Sequence, residues 1–269
     1  MKNTIILTVH NKECSITKIL KSIVKTISDS TIKLIIILDG CTDQTNEKVI
    51  KFLKNNRIKL EVKIIYTDDI WETKANNVGL REVNTQFATL VQDDMLIKQK
   101  NWDKKLLDNF KKSKLFAVSG RAAHDFYFYK KKFEIVNIFG REYPFTDQNI
   151  FGKIIAKLVL FFKLYWLYNY LDFYSKRLVV NRGPLILDMK KAKELDFFDE
   201  KFAPFELDDV DLCCRAFKKF GLYSAANPIF YEELNGSKKN NSNSQKISKK
   251  SILKNTQILF ERHKDLASK

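Results

Sequence analysis

Glycine is scarce in this chain, at 8 of 269 residues. No GxxxxGK[ST] run occurs, and no GxGxxG follows a strand pattern, so a glycine loop that cradles phosphate is excluded. A bound nucleotide would have to be held by side chains and a cation. Histidine is scarcer still, with only His10, His124 and His263. HExxH and GxSxG are both missing, which argues against zinc hydrolysis and a serine triad. The four cysteines (Cys14, Cys41, Cys213, Cys214) form no CxxC pair and no disulfide-framework spacing. A reduced, cytosolic setting is expected, with the thiols serving as small core residues. No apolar run reaches the roughly 18 residues of a membrane span. Thr4 to Val9 is too short for the core of a signal peptide.

Aromatic residues are plentiful, with 21 Phe among them. Apolar residues make up 45% and charged residues 30%, a soluble globular balance that can fill a core in one large or two small domains. The net charge of +16 favours an anionic partner such as a nucleotide, a nucleic acid or an acidic lipid headgroup. Much of it is scattered lysine with no interleaved aromatic motif, so nucleic-acid binding ranks last.

The first half alternates between two hydrophobic periods. Thr4 to Val9 reads as a buried strand ending in His10-Asn11-Lys12-Glu13. Ser15 then caps a helix whose stripe is Ile16, Ile19, Leu20, Ile23, Val24 and Ile27. Leu34 to Leu38, Leu60 to Tyr66 and Phe87 to Val91 read as further strands. Helices through Val49, Ile50 and Leu53 and over 72–83 lie between them. This rhythm predicts an α/β fold with a mostly parallel central sheet and helices on both faces. Ligands bind such sheets beyond the C-terminal strand edge. Three polar clusters meet at that edge: Thr8 to Glu13, Asp39 to Asp43, and Asp93-Asp94.

Gln92-Asp93-Asp94 is the most informative stretch. Two ionised carboxylates at the end of a buried strand repel each other and lose hydration, a cost that a cation or hydrogen-bond donors would remove. Hard oxygen ligands suit Mn²⁺ or Mg²⁺, which commonly share their shell with substrate phosphates. Taken alone, the stretch reads more readily as a surface turn or helix cap, and it is the neighbouring sequence that reverses this.

Four segments in order carry a family resemblance. They are Thr8-Val9-His10-Asn11-Lys12-Glu13, Leu38-Asp39-Gly40-Cys41-Thr42-Asp43, Lys74-Ala75-Asn76-Asn77-Val78-Gly79-Leu80 and Gln92-Asp93-Asp94. Together they resemble the family 2 glycosyltransferases of the GT-A fold, over about residues 4–236. Leu38 stands at the first acid of a DDGSTD-like turn, Asn76 where Arg is frequent, and Gln92 at the first acid of the DxD region. Further on, Phe198-Asp199-Glu200 and Glu206-Leu207-Asp208-Asp209-Val210-Asp211 resemble the family's FDExF…EDxDL segment. The helical pattern from Asp208 to Phe220 has acids in its first turn, as the helix dipole favours.

The resemblance implies a Rossmann-like GT-A domain over 1–236, with a nucleotide-sugar half (1–115) and an acceptor half (116–236). It implies inverting transfer of a sugar from a nucleotide-sugar, UDP-linked before others, to a hydroxyl of a glycan or lipid-linked acceptor. Asp209 is expected to be the catalytic base, with Asp208 its rival. Thr8, Val9, His10, Glu13, Asp39, Lys74, Asn77 and Asp93 are expected around the nucleotide. Asp94 would hold Mn²⁺ or Mg²⁺, with Glu233 standing in for the family's histidine ligand. Two other readings stay open: a noncatalytic nucleotide- or glycan-binding relative, and a sugar nucleotidyltransferase. The aromatic-rich segment 154–171 reads first as a helix packed on the core, and otherwise as one lying on a membrane surface beside a lipid-linked acceptor. Beyond 236, a flexible basic linker through Ser251 is expected, then a short peripheral helix over 252–266.

Overall fold

A computed structural model describes residues 1–135, 162, 174–234 and 242–268. The segment 154–171, apart from Phe162, lies outside the described residues. In chain order the first half runs β1 (Asn3–Val9), α1 (Ile16–Thr26), β2 (Thr31–Asp39), α2 (Thr45–Asn55), β3 (Glu61–Thr67), α3 (Trp71–Arg81), β4 (Phe87–Val91) and β5 (Met95–Ile97). Next come α4 (Trp102–Leu107), α5 (Asn109–Lys112), β6 (Ala117–Ser119), β7 (Ala123–His124), β8 (Phe126–Tyr129) and β9 (Lys132–Ile135). The remainder is β10 (Ser175–Arg177), β11 (Val179–Val180), β12 (Leu185–Asp188), α6 (Met189–Glu194), α7 (Asp208–Phe220), β13 (Ser224–Ala226), β14 (Tyr231–Glu233) and α8 (Ser242–His263).

One eight-stranded sheet organises the chain in the order β10-β13-β6-β12-β4-β1-β2-β3. The run β4-β1-β2-β3 is parallel, as its βα rhythm requires. β12 is antiparallel to both β4 and β6, and β10 is antiparallel to β13, so the sheet is mixed. Its central strands are unbroken apolar runs because both faces are covered. Ile5, Leu7 and Val9 join the core under α1, α2 and α4, whereas Ile6 joins the opposite core under α3, α6 and α7. Cys213 and Cys214 are buried in that second core, where burial pushes the Cys213 thiol up to about 12. Cys14 departs from the expected core role and lies exposed in the loop after β1.

Two local expectations need correction. Ser15 occupies the position before α1, but its side chain makes no capping bond. The Lys12 carbonyl instead accepts from the Ser15 and Ile16 amides at 3.0 and 2.8 Å. The stretch read as a linker to Ser251 is helical from Ser242, and residues 235–241 lie outside the described residues. Nor is this helix peripheral, since Ser251, Asn255, Thr256, Leu259 and His263 are all buried. That stripe is mostly polar, so it docks by hydrogen bonding and gives no apolar periodicity to read. Among the described residues, no helix is long and apolar enough to cross a membrane.

Helix α3 sits unusually close to the sheet. A Cβ at Gly79 would lie 2.6 Å from Ile6 Cγ2 and 2.8 Å from Ile37 Cδ1. Alanine is the better helix former by about 1 kcal/mol, but overpacking costs roughly 1–3 kcal/mol. Gly79→Ala is therefore expected to lower the urea midpoint by the equivalent of about 1 kcal/mol with an unchanged m-value. A midpoint equal to wild type or higher would show that this contact yields freely.

Candidate functional site

The loops after β1, β2 and β4 interlock at the C-terminal edge of the parallel strands. The Asn11 side-chain oxygen accepts from the Thr42 and Asp43 amides at 2.8 and 3.3 Å. Asp43 accepts from the Glu13 and Thr45 amides at 3.1 and 2.9 Å. Although burial opposes it, these donors and the Thr45 hydroxyl hold the Asp43 carboxyl below its usual range. Glu13 in turn accepts from the Gln44 amide at 3.1 Å, so its carboxylate shapes the start of α2. Asp39 is 2% exposed, and its oxygens take the Thr67 hydroxyl (2.7 Å) and the Ile70 and Trp71 amides (2.8 and 2.9 Å). Asp69 and Trp71 are left-handed, at φ 51° and 70°, and this folds the start of α3 onto Asp39. Such backbone is costly and persists where its surroundings fix it.

The ligand atoms of His10, Asp39 and Asp69 lie within 4.8 Å of one another. Their hydrogen bonding suits a polar rim better than a metal centre. His10 Nδ1 donates to the Asp39 carbonyl at 2.6 Å, which leaves Nε2 to accept from Asn11 Nδ2 at 3.1 Å. Both ring nitrogens are then engaged, and the Asp39 carboxylate already has three donors.

The acid pair after β4 lies beside this rim. Asp93 accepts from the His10 amide at 3.1 Å and pairs with Lys12 Nζ at 3.3 Å. Burial pushes Asp93 up to about 6, with Lys12 and the His10 amide opposing and Asp94 and Glu72 adding to the rise. Asp94 is raised as well, first by burial and then by Glu72, against Lys12 and Arg121. Strand β14 pairs with β5, setting Glu233 opposite Met95, and the Asp94 carbonyl accepts from the Leu234 amide at 2.7 Å. Glu233 is exposed and pairs with Arg121 at 3.3 Å. Asp94 and Glu233 are thus oxygen donors at neighbouring strands, the hard-ligand chemistry that Mn²⁺ or Mg²⁺ takes, and a divalent cation would relieve the raised Asp94 carboxyl.

A buried cation organises the other side. Arg182 lies before β12, its side chain 8% exposed, and its Nη2 donates to Asp208. Nη1 lies 3.4 Å from Glu72, and the guanidinium sits over the Phe198 ring. Burial works against the charged guanidinium, but Asp208, Glu72 and Asp209 outweigh it and raise its pKa. Asp208 is fully buried and also accepts from the Thr73 hydroxyl (2.8 Å) and the Asp209 amide (3.0 Å). Asp209 is only half-buried. Its carboxylate accepts from the Arg182 and Val210 amides, each at 2.9 Å. Burial raises both carboxyls, Asp208 to about 6, while Arg182 opposes the rise. Gln92 Nε2 donates to Glu72 at 3.4 Å, which joins the Asp93–Asp94 side to the Arg182 side.

Sequence reasoning and geometry part company at several residues. Asn77 is fully buried, and its amide is spent on the Phe198 carbonyl and amide at 2.8 and 3.1 Å. It braces the chain before α7 and cannot reach a nucleotide. Glu13 is a loop clasp, and the Val9 side chain is core, leaving only its backbone for a ligand. The Thr8 hydroxyl donates to Asn76 at 2.8 Å, and Lys74 is exposed on α3. Lys12, Glu72 and Arg182 were missed. Lys12 was visible as the one cation in the first strand-end turn, but nothing in sequence pairs Glu72 with Arg182, 110 positions later.

A model of glycosyl transferase family 2 matches residues 4–166. No curated protein matches the chain. Among solved structures, a mannosyltransferase from Pyrobaculum calidifontis in complex with GDP-Man and Mn²⁺ is similar over 97% of this chain and 64% of its own, with TM-score 0.65 and 12% identity. GalNAc-T7 with UDP, GalNAc and Mn²⁺ matches over 88% of this chain and 45% of its own, with TM-score 0.60 and 10% identity. TarS of S. aureus, solved as residues 1–349 with UDP-GlcNAc, matches over 88% and 59%, with TM-score 0.55 and 17% identity. The chain therefore spans less than two thirds of each of these structures. At such identities the likeness speaks for the fold, a GT-A-like α/β architecture, and the family match covers most of the chain. This protein belongs to glycosyl transferase family 2.

Proposed function

We propose that the protein transfers a sugar from a nucleoside-diphosphate sugar, UDP-linked before others, to a hydroxyl of a glycan or lipid-linked acceptor, inverting the anomeric centre. The observation that carries this reading is the contrast between two neighbouring acids. Asp208 is sealed and saturated, whereas Asp209 is half-buried, raised in pKa and joined through Arg182 and Glu72 to the Asp93–Asp94 side. Asp209 accepts the acceptor hydroxyl's proton as that oxygen bonds to the anomeric carbon and the bond to the diphosphate breaks. Its raised pKa brings its proton affinity closer to the working pH, which favours general-base catalysis. Asp208 and Arg182 orient it. Asp93 would lie on the ribose side, with Thr8, Val9, His10 and Asp39 around the base, and the exposed Lys74 would approach the diphosphate. Asp94 and Glu233 would hold the divalent cation, whose chemistry when bound is to stabilise charge on the leaving diphosphate.

Asp209→Asn is expected to cut transfer by about 10²–10⁴-fold while donor affinity stays near wild type. Asp208→Asn should cost stability first, because it leaves Arg182 poorly paired in the interior. Initial rates against a nucleotide-sugar panel, with calorimetry on both variants, separate these roles. If Asp209→Asn keeps full activity, the base has been misassigned.

The same acids set the pH profile. A base with a raised pKa is protonated, and so inactive, at a higher pH than an ordinary carboxylate. The acid limb of kcat/KM should therefore lie above the ordinary carboxylate range, the direction in which burial moves both Asp208 and Asp209. The apparent value belongs to the Asp208–Asp209 pair. A limb near 4 would mean that the site is fully solvated.

UDP is expected to bind more tightly with Mn²⁺ than without it, and Asp94→Asn should abolish that increment. Calorimetric affinities that are equal in all four combinations would remove Asp94 from the metal site.

A further inference from the structure

A 3₁₀ turn over Glu200–Phe202 is joined to the start of α7 by residues 203–207, and the last two of these are strained. Glu206 and Leu207 are consecutive non-glycine residues in the left-handed region, at φ 81° and 62°. Leu207 is the residue immediately before α7, and its carbonyl accepts from the Asp211 amide at 3.0 Å. The direction in which Asp208 and Asp209 leave the chain is therefore set by this pair. Left-handed backbone at such residues is held only where the surroundings over-determine it.

Helix α8 supplies that restraint. Asn255 is fully buried, and its side-chain nitrogen donates to three carbonyls of this segment: Phe202 (2.8 Å), Phe205 (2.9 Å) and Glu206 (2.8 Å). An amide has two hydrogens for these three acceptors, so one bond is shared. Lys254 Nζ donates to the Ala203 carbonyl at 2.7 Å, and the Ser248 hydroxyl to the Glu206 carboxylate at 3.4 Å. Two turns beyond, His263 Nε2 and Arg262 Nη1 lie 2.9 and 3.2 Å from the buried Asp211 carboxylate of α7. Helix α8 thus grips both the strained segment and the helix it feeds.

We propose that Asn255 is a positioning residue for sugar transfer, fixing the 202–207 backbone so that the Asp209 carboxylate faces the acceptor hydroxyl. The inference rests on the reading of Asp209 as the base. It makes α8 a part of the working site, although the helix contributes no group to the reacting atoms. A displacement of about 1 Å at such a carboxylate is enough to cost on the order of 10²-fold in rate.

Asn255→Ala is expected to lower kcat roughly 10- to 100-fold, with the calorimetric affinity for UDP and Mn²⁺ unchanged and amide exchange faster across 202–208. The decisive measurement is a cycle with Asp209→Asn. In that background Asn255→Ala should cost almost nothing further, because the group it positions is already gone. Additive losses, or a wild-type kcat in Asn255→Ala, would overturn the proposal. An active Asp209→Asn single variant would overturn the base assignment instead, so the two failures are distinguishable. Lys254→Met removes only the exposed end of the clasp and should lower kcat several-fold with donor affinity unchanged. Should Asn255→Ala fail to fold, full activity in Lys254→Met overturns the proposal, and the expected kcat loss upholds it. Leu253→Ala, at the 69% exposed neighbour, serves as the control.

Discussion

A single buried guanidinium is the constraint on which the site depends. Arg182 gathers Glu72 and the neighbouring pair Asp208–Asp209 from two distant parts of the chain, using its side chain for Glu72 and Asp208 and its backbone amide for Asp209. Burying such ions is expensive, and a buried pair need not add net stability. Its value lies in arrangement. The guanidinium fork fixes directions as well as distances, and deleting either Arg182 or Asp208 would strand the other in the interior, at roughly 3–5 kcal/mol. Acids that would repel one another are kept close, with carboxyl pKa values raised by the same burial.

The second organising device is α3, a short rod with a task at each side. Its first amides close over Asp39, and Thr73 holds Asp208 with its hydroxyl while its amide donates to the Pro204 carbonyl. Asn77 clasps Phe198, and Gly79 lets the helix lie flat on Ile6 and Ile37. The nucleotide side and the base side are therefore indexed to one rigid element, pressed onto the sheet by the absence of a methyl group.

Much of this was legible in sequence. β1, β2, β3 and β4 announce themselves because strands covered on both faces are continuous apolar runs between polar turns. Asp93 and Asp94 stand out because acids seldom follow such a run without a reason. The acid-rich start of α7 was readable because helix dipoles make first-turn acids ordinary, and four acids in six residues exceed that. What stayed hidden depends on pairing across long separations. Asn77 looks like part of a nucleotide motif and is a brace, since nothing local reveals that Phe198 waits 121 residues away. The reversed β12 was invisible because strand direction is a property of the connection. The second half of α8 was read as helix, but its first half was misread as linker for a chemical reason. Serine, asparagine and lysine score as linker, and a buried face with Leu259 as its one fully buried apolar residue leaves little hydrophobic period.

That polar seam gives α8 an unusual thermal character. Exposing apolar surface raises heat capacity, whereas exposing polar surface lowers it. The sheet cores around Ile36 and Ile37 follow the first rule, and their grip weakens on cooling. Around Asn255 and His263 the seam of α8 adds directed bonds that follow the second rule, beside the apolar contacts of Leu259 and Phe260 that follow the first. The protein thus joins two kinds of cohesion with opposite temperature signs, and the left-handed segment before α7 is held chiefly by the one less sensitive to chill.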